Sequence, residues 1–295
     1  MTGPTEYPFL KGHGTENDFV LLPDHDASVH GALDPQRVAR LCDRRAGLGA
    51  DGVIRVVRTA ALAAVDPDAA ALGGDAEWFM DYRNADGSVS EMCGNGLRVL
   101  ARHLADEGLV DPSAPVVIGT RAGVKDVSYD AGSGTVTLGM GPTTVLGESE
   151  VGVGSATGEQ WWTATHVDVG NPHAVAFVAS LDDAGPLTEA PRHDASVYPH
   201  GVNVEFVVDR GVRHVAMRVH ERGSGETRSC GTGACAVMAA AAVRDGLGAA
   251  DAPPAEPVTY RVDVPGGELA VTWCPDGTTL LTGPAVVVAR GTTAL

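Results

Sequence analysis

The same unusual junction occurs twice in the chain. "SVSEMCGNGLRVLARHL" (residues 88–104) and "TRSCGTGACAVMAAAAV" (residues 227–243) each set a cysteine directly before Gly-X-Gly and run on into an apolar, helix-forming stretch. The two cysteines, Cys93 and Cys230, lie 137 positions apart in 295 residues. A helix N-terminus leaves backbone N–H groups unpaired and carries the positive end of the macrodipole. Glycine lets that backbone come close to a ligand. Cysteine in this setting is expected to have its thiolate stabilised and its pKa lowered, while the same N–H groups donate to a bound carboxylate.

The sequence around the junctions repeats one plan. "FLKGHGTENDFVLL" and "WWTATHVDVGNPHAVAFV" both read as strand, polar turn, strand. Further strands precede each cysteine and short strands with Gly-rich turns follow each helix. The helices close near Gly108 and Gly246, and the second carries no charge before Arg244, so it should be buried all round. "DPQRVARLCDRRAGLG" reads as a short helix with Asp34 as N-cap, Pro35 at its first position and Gly47 closing it. "TAALAAVDPDAAALGGD" has no clear period and reads as a loop insertion. The chain therefore resembles an internal duplication. The expected class is α+β, with two similar halves, each a β-barrel-like sheet wrapped around a central helix.

Composition narrows the function. A formal net charge of −17 argues against a nucleic-acid partner. No apolar run is long enough to cross a bilayer, and "MTGPTEYPFLKGHG" lacks the form of a secretory signal, so the expected location is cytoplasmic. Of 21 basic residues only Lys11 and Lys125 are lysines, and neither sits in a recognisable pyridoxal-phosphate setting. Five cysteines, without Cys-x-x-Cys or a His-rich cluster, give neither a disulfide framework nor zinc spacing. Cys42, Cys235 and Cys274 read as buried small hydrophobes.

Two matched thiols at helix starts suggest cofactor-independent inversion. A substrate carboxylate would sit on the helix ends. One thiolate would remove the α-proton from one face, and the other cysteine, as thiol, would return a proton to the opposite face. A single cysteine before a helix is ordinarily a packing residue; two in corresponding Gly-rich turns are harder to explain that way.

The chain resembles the diaminopimelate epimerases. "NADGSVSEMCGNGLR" (84–98) and "ERGSGETRSCGTGA" (221–234) are similar to that family's two cysteine segments, and "GTENDFV", "GNPHAV" and "VNVEF" fall in the expected order, from about Lys11 to the C-terminus. The resemblance implies reversible conversion of LL-diaminopimelate to the meso isomer without pyridoxal phosphate or metal, feeding lysine and peptidoglycan precursors. It also implies an active site in a cleft between the halves, which we place at residues 1–137 plus 277–295 and at 138–276. Carried over, Cys93 and Cys230 are the acid/base pair. Gly94, Asn95, Gly231 and Thr232 present N–H groups to the reacting carboxylate. Asn17 and Glu221 hold the amine, and Asn84, Asn171, Asn203 and Arg222 hold the distal end. His173 and Glu221 tune the thiols. Asn84 and Asn171 also fit simple turn formers. A homodimer is a candidate assembly, and the small-molecule substrate is the only other partner expected. One departure stands out: Gly52 follows Asp51 in "GLGAD", where many members of the family have glutamine. The rival readings are a proline or hydroxyproline racemase-like enzyme of the same fold, a dithiol redox protein, and a non-catalytic binding module.

Overall fold

Strand β1 (Tyr7–Gly14) alternates buried and open positions and turns back directly into β2 (Asn17–Pro23). Gly14 pairs with Asn17, so only Thr15 and Glu16 make the turn, both with positive φ (49° and 61°). That geometry matches the twist of a hairpin but is usually given to Asn-Gly; each non-glycine residue in it costs about 1–3 kcal/mol. Buried Arg98 donates to Thr15 Oγ1 at 3.1 Å, and the Glu16 N–H donates to His13 Nδ1 at 3.2 Å, holding the turn. The structure is a computed structural model and describes residues 6–155 and 158–295. Residues 1–5, on which the reading of no secretory signal partly rests, lie outside the described residues.

Two compact units emerge. One runs to Leu138 and takes back Pro284–Leu295; the other is Gly139–Gly283. In the first, β2 pairs parallel with β3 (Gly52–Arg58), which pairs antiparallel with β4 (Trp78–Asn84). After the long helix the chain adds β5 (Val116–Thr120) parallel to β4, then β6 (Gly123–Asp130) and β7 (Thr135–Pro142) antiparallel in turn. The last strand of the chain, Val286–Thr293, lies antiparallel along β1.

The second unit repeats this series. Strand β8 (Thr144–Ser155) pairs antiparallel with β9 (Gly158–Asp168), and β9 antiparallel with β10 (Pro172–Phe177). The two-residue strand β11 (Arg192–His193) pairs with β8. Strand β10 pairs parallel with β12 (Asn203–Gly211), and β12 antiparallel with β13 (His214–Glu221). The short β14 (Gly225–Thr227) folds back on β13. Strands β15 (Val258–Val264), β16 (Gly267–Trp273) and β17 (Thr278–Pro284) complete the series, β15 parallel to β13 and the rest antiparallel. The parallel and antiparallel steps fall in the same order in both units, so the duplication inferred from the sequence is a duplication of topology.

Helix α1 (Pro35–Cys42) covers one side of β3. It ends before Gly47, because the Asp43 carboxylate accepts the Arg45 and Ala46 N–H groups and turns the chain. The stretch expected as a loop insertion instead forms two short helices, α2 (Thr59–Leu62) and α3 (Pro67–Leu72). Pro67 suits a first helical position and the Asp66 side chain accepts the Ala69 N–H. These caps sit inside an Ala-rich run that hides any hydrophobic period. Helices α4 (Gly94–Asp106) and α5 (Gly231–Arg244) pack against the strands of the first and second unit respectively, and almost every residue of α5 is buried. The next glycines, Gly108 and Gly246, have φ of 65° and 71°, as expected beyond helix ends. Cys42 and Cys235 are buried as expected; Cys274 is partly open, because Trp273, not Cys274, points into the core.

His30 and His103 are buried with ring nitrogens that find no hydrogen-bond partner among the described residues. Burial pushes both down to about 4. The unfolded chain takes up these protons near pH 6.5, so stability is full above that value and is lost as pH falls from about 6.5 toward about 4. Thermal melts between pH 7 and pH 4.5 should show a falling Tm; a flat profile would contradict neutral burial of these rings.

Candidate active site

Cys93 is the N-cap residue of α4 and keeps extended backbone dihedrals (φ −140°, ψ 118°). Its side chain does not cap its own helix. Instead the thiol donates to Asn17 Oδ1 at 3.6 Å, and Asn95 Nδ2 donates to the same oxygen at 3.0 Å. Asn17 stands there because it is the first residue after the strained Thr15–Glu16 turn. Its Nδ2 donates to Asp51 Oδ2 at 2.7 Å. Gly94 and Asn95 occupy the first turn of α4 and are buried. Asn84 ends β4, and its Nδ2 donates to Ser88 Oγ within its own turn at 3.0 Å.

Cys230 occupies the same position on α5 (φ −123°, ψ 117°) with different company. Its sulfur accepts the Gly233 N–H at 3.4 Å and lies 3.4 Å from Thr232 Oγ1. Glu221, at the end of β13, is hydrogen-bonded to Cys230 and also accepts from Thr227 Oγ1. Burial raises the Glu221 carboxyl, helped by the charge of Glu205 and opposed by the Thr227 bond. Burial likewise pushes the Cys230 thiol well above the ordinary cysteine range, with Glu221 and Glu205 adding to it and the Thr232 hydroxyl and Gly233 N–H pulling back. This corrects the expectation of a lowered pKa for this cysteine: in the empty site desolvation and two carboxylates outweigh the helix end, and Cys230 rests as a thiol.

Behind Cys230 stands Glu205, a residue not singled out from the sequence. His173 Nδ1 lies 2.6 Å from Glu205 Oε1, both side chains fully buried, and His173 Nε2 is 3.1 Å from Asn171 Oδ1. A Cβ at Gly233 would fall 2.8 Å from Glu205 Oε1 and 3.3 Å from Cys230 Cβ, so glycine there lets the carboxylate reach the first turn of α5. A glutamate within the buried run Val204–Val208 of β12, whose other members are all apolar, was the available signal. Asn203 Oδ1 accepts the Arg222 N–H at 2.9 Å and its Nδ2 donates to the Pro172 carbonyl at 3.2 Å, while Arg222 Nη1 donates to the His200 carbonyl at 3.2 Å. The structure thus brings Asn17, Asn95 and Cys93 together in the first unit. In the second it brings together Cys230, Thr232, Glu221 and His173, with Asn171, Asn203 and Arg222 linked around the β10–β12 pair. Asn84 Nδ2 donates within its own turn.

Gly52 has a local cause. A Cβ there would meet the Tyr82 ring at 2.5 Å and the Arg83 carbonyl at 2.6 Å. Glutamine at this position should overpack the β3–β4 pair and cost about 1–3 kcal/mol, read as a lower Tm for Gly52→Gln. An unchanged Tm would show that Tyr82 yields freely. Among the described residues, no group of three or more His, Cys, Asp and Glu side chains is placed to hold a metal ion, and no helix is long and apolar enough to cross a membrane.

The fold is that of a known group of two-unit α+β proteins. It matches a hydroxyproline epimerase from Agrobacterium vitis with TM-score 0.63 over 98% of this chain and 93% of that one at 17% identity. It matches a phenazine biosynthesis protein of the PhzF family from Bacillus anthracis with TM-score 0.67 over 98% and 99% at 14% identity. Within that group the sequence is more specific. The family model of diaminopimelate epimerase matches residues 9–146 and 165–288. A diaminopimelate epimerase of Streptomyces coelicolor is 59% identical over 97% of this chain and 95% of its own length, and one of Thermobifida fusca is 48% identical over 96% of each. The chain belongs to the diaminopimelate epimerase family.

Proposed function

We propose that the chain interconverts LL- and meso-diaminopimelate by a two-thiol proton transfer that uses no cofactor. The observation that supports this most is the pair of cysteines, each at the N-cap position of the long helix of topologically matched units, in a chain 59% identical to a diaminopimelate epimerase. Cys93 and Cys230 serve opposite faces of one α-carbon. The N–H groups of Gly94, Asn95, Gly231 and Thr232 receive the carboxylate, where helix ends stabilise the charge that grows as the proton leaves. Asn17 and Glu221 hold the reacting amine. Asn84, Asn171, Asn203 and Arg222 hold the distal amino-acid end, for which a guanidinium is the natural carboxylate partner. Cys230 begins as a thiol and is suited to give a proton. The Gly233 N–H and Thr232 hydroxyl are donors ready for the thiolate it leaves behind, and His173 and Glu221 adjust that balance. The enzyme would act in the cytoplasm, on the route to lysine and peptidoglycan precursors, as a homodimer.

The reduced protein, without added pyridoxal phosphate, should convert LL-diaminopimelate to a mixture with the meso isomer and leave L-proline and trans-4-hydroxy-L-proline unchanged. Action on the proline compounds alone would replace this reading with the racemase-like one.

A further inference from the structure

We propose that Asp51 is a positioning residue for the reaction: it fixes which end of the Asn17 amide faces Cys93. This rests on the reading of Cys93 as an acid/base group. An ionised carboxylate only accepts hydrogen bonds. Asp51 Oδ2 takes two donors, Asn17 Nδ2 at 2.7 Å and the Asp18 N–H at 3.1 Å, and Asp51 Oδ1 takes Arg44 Nη2 at 2.6 Å. The Asn17 amide therefore cannot turn its oxygen toward Asp51. Its Nδ2 is committed there, and Oδ1 is left facing the Cys93 thiol at 3.6 Å and Asn95 Nδ2 at 3.0 Å.

The support behind Asp51 is charged and closed on itself. Arg44 bridges Asp51 and Asp18, and Lys11 pairs with Asp18 at 2.6 Å while also donating to the Gly49 carbonyl. Two cations thus neutralise two carboxylates, and the cluster ties β1, β2 and the segment before β3 to one side of Asn17. The strained Thr15–Glu16 turn delivers Asn17, and Asp51 sets its orientation.

The consequence is chemical. An amide oxygen on the sulfur accepts the S–H bond and favours the thiol. The opposite amide orientation would donate to sulfur and favour the thiolate. Asp51 thereby keeps the proton on Cys93 directed along one line and opposes premature ionisation of the empty site. The misplaced amide in an Asp51 variant should cost turnover, since small errors in positioning lower rates on the order of tenfold to a hundredfold.

The test is Asp51→Ala, with Asp51→Glu beside it, on the full reduced chain. Asp51 is 42% exposed on its side chain, so the Tm of both variants should stay close to that of the parent. Iodoacetamide labelling followed by peptide mass analysis reads each cysteine without substrate. In Asp51→Ala, Cys93 should label severalfold faster, because Asn17 is free to donate to sulfur, while Cys230 in the same sample labels at the parent rate. The value of kcat should fall, and Asp51→Glu, which restores an acceptor, should recover part of it. Parent labelling of Cys93 together with parent kcat in Asp51→Ala would overturn the proposal, as would equal changes at both cysteines with a lowered Tm. Failure of the acid/base reading is seen separately: Cys93→Ala would then retain activity, whereas the labelling of Cys93 in the Asp51 variants does not depend on turnover.

Discussion

Alanine at Cys93 or at Cys230 is expected to lower kcat/KM for diaminopimelate by about 10³-fold or more, the range of a general acid or base removed outright, while leaving the fold intact. The cysteines are N-cap residues of α4 and α5, but neither helix depends on its sulfur for capping. Cys93 makes no cap bond, and Cys230 contributes one long contact at 3.4 Å. Both variants should therefore melt near the parent Tm. The losses should also be non-additive, since each thiol completes one proton transfer and neither works alone. A single alanine variant with parent activity would rule out a two-thiol reaction. A double variant slower than either single by the product of the two factors would argue that the sulfurs act independently.

The largest effect on stability should come from Asp81→Ala. Asp81 lies on β4 with its carboxylate fully buried. Its Oδ2 pairs with Arg55 Nη2 at 2.6 Å and accepts Arg55 Nε at 2.9 Å; its Oδ1 accepts Arg121 Nη1 at 2.8 Å and faces Arg83 at 3.4 Å. Arg55 is itself buried and otherwise has Asp24 at 3.9 Å and the Gly31 carbonyl. Arg121 continues to Asp66, the N-cap of α3. Removing Asp81 leaves three guanidinium groups around an empty acceptor site. Breaking one side of a buried ion pair costs about 3–5 kcal/mol. In a chain of this size that corresponds to a Tm lower by about 10 °C. The double change Asp81→Leu with Arg55→Met should recover part of the loss, because it removes charge from both sides. A Tm within about 2 °C of the parent for Asp81→Ala would mean that water replaces the carboxylate.

Much of this molecule is legible in the sequence because its strongest signals are local. The Cys-Gly-X-Gly junctions, the Asp34–Pro35 helix start and the closing glycines each depend on a few neighbouring residues. The repeat of the strand–turn–strand plan then implies one topology used twice. What sequence reading missed depends on contacts across the chain. Glu205 sits within a quoted motif, but its meaning comes from His173, 32 positions away, and from the space over Gly233. Asp51 matters through Asn17, 34 positions earlier. The Thr59–Asp75 stretch hid its helices because alanine carries no period, and its link to the core through Asp66 and Arg121 spans 55 positions. The expected low pKa of Cys230 failed for a related reason: a helix end is visible in sequence, whereas burial beside two carboxylates is not.

The most direct test of the two-thiol account is the fate of the α-proton in D₂O. LL-diaminopimelate is incubated with the reduced protein, and the first meso product is analysed by proton NMR and mass spectrometry. The account predicts that newly formed meso product carries solvent deuterium at the inverted carbon, because the proton removed by one cysteine is not the proton delivered by the other. Meso product that retains the original protium would mean that a single base removes and returns the same proton, and the paired cysteines would not be the acid and base of the reaction.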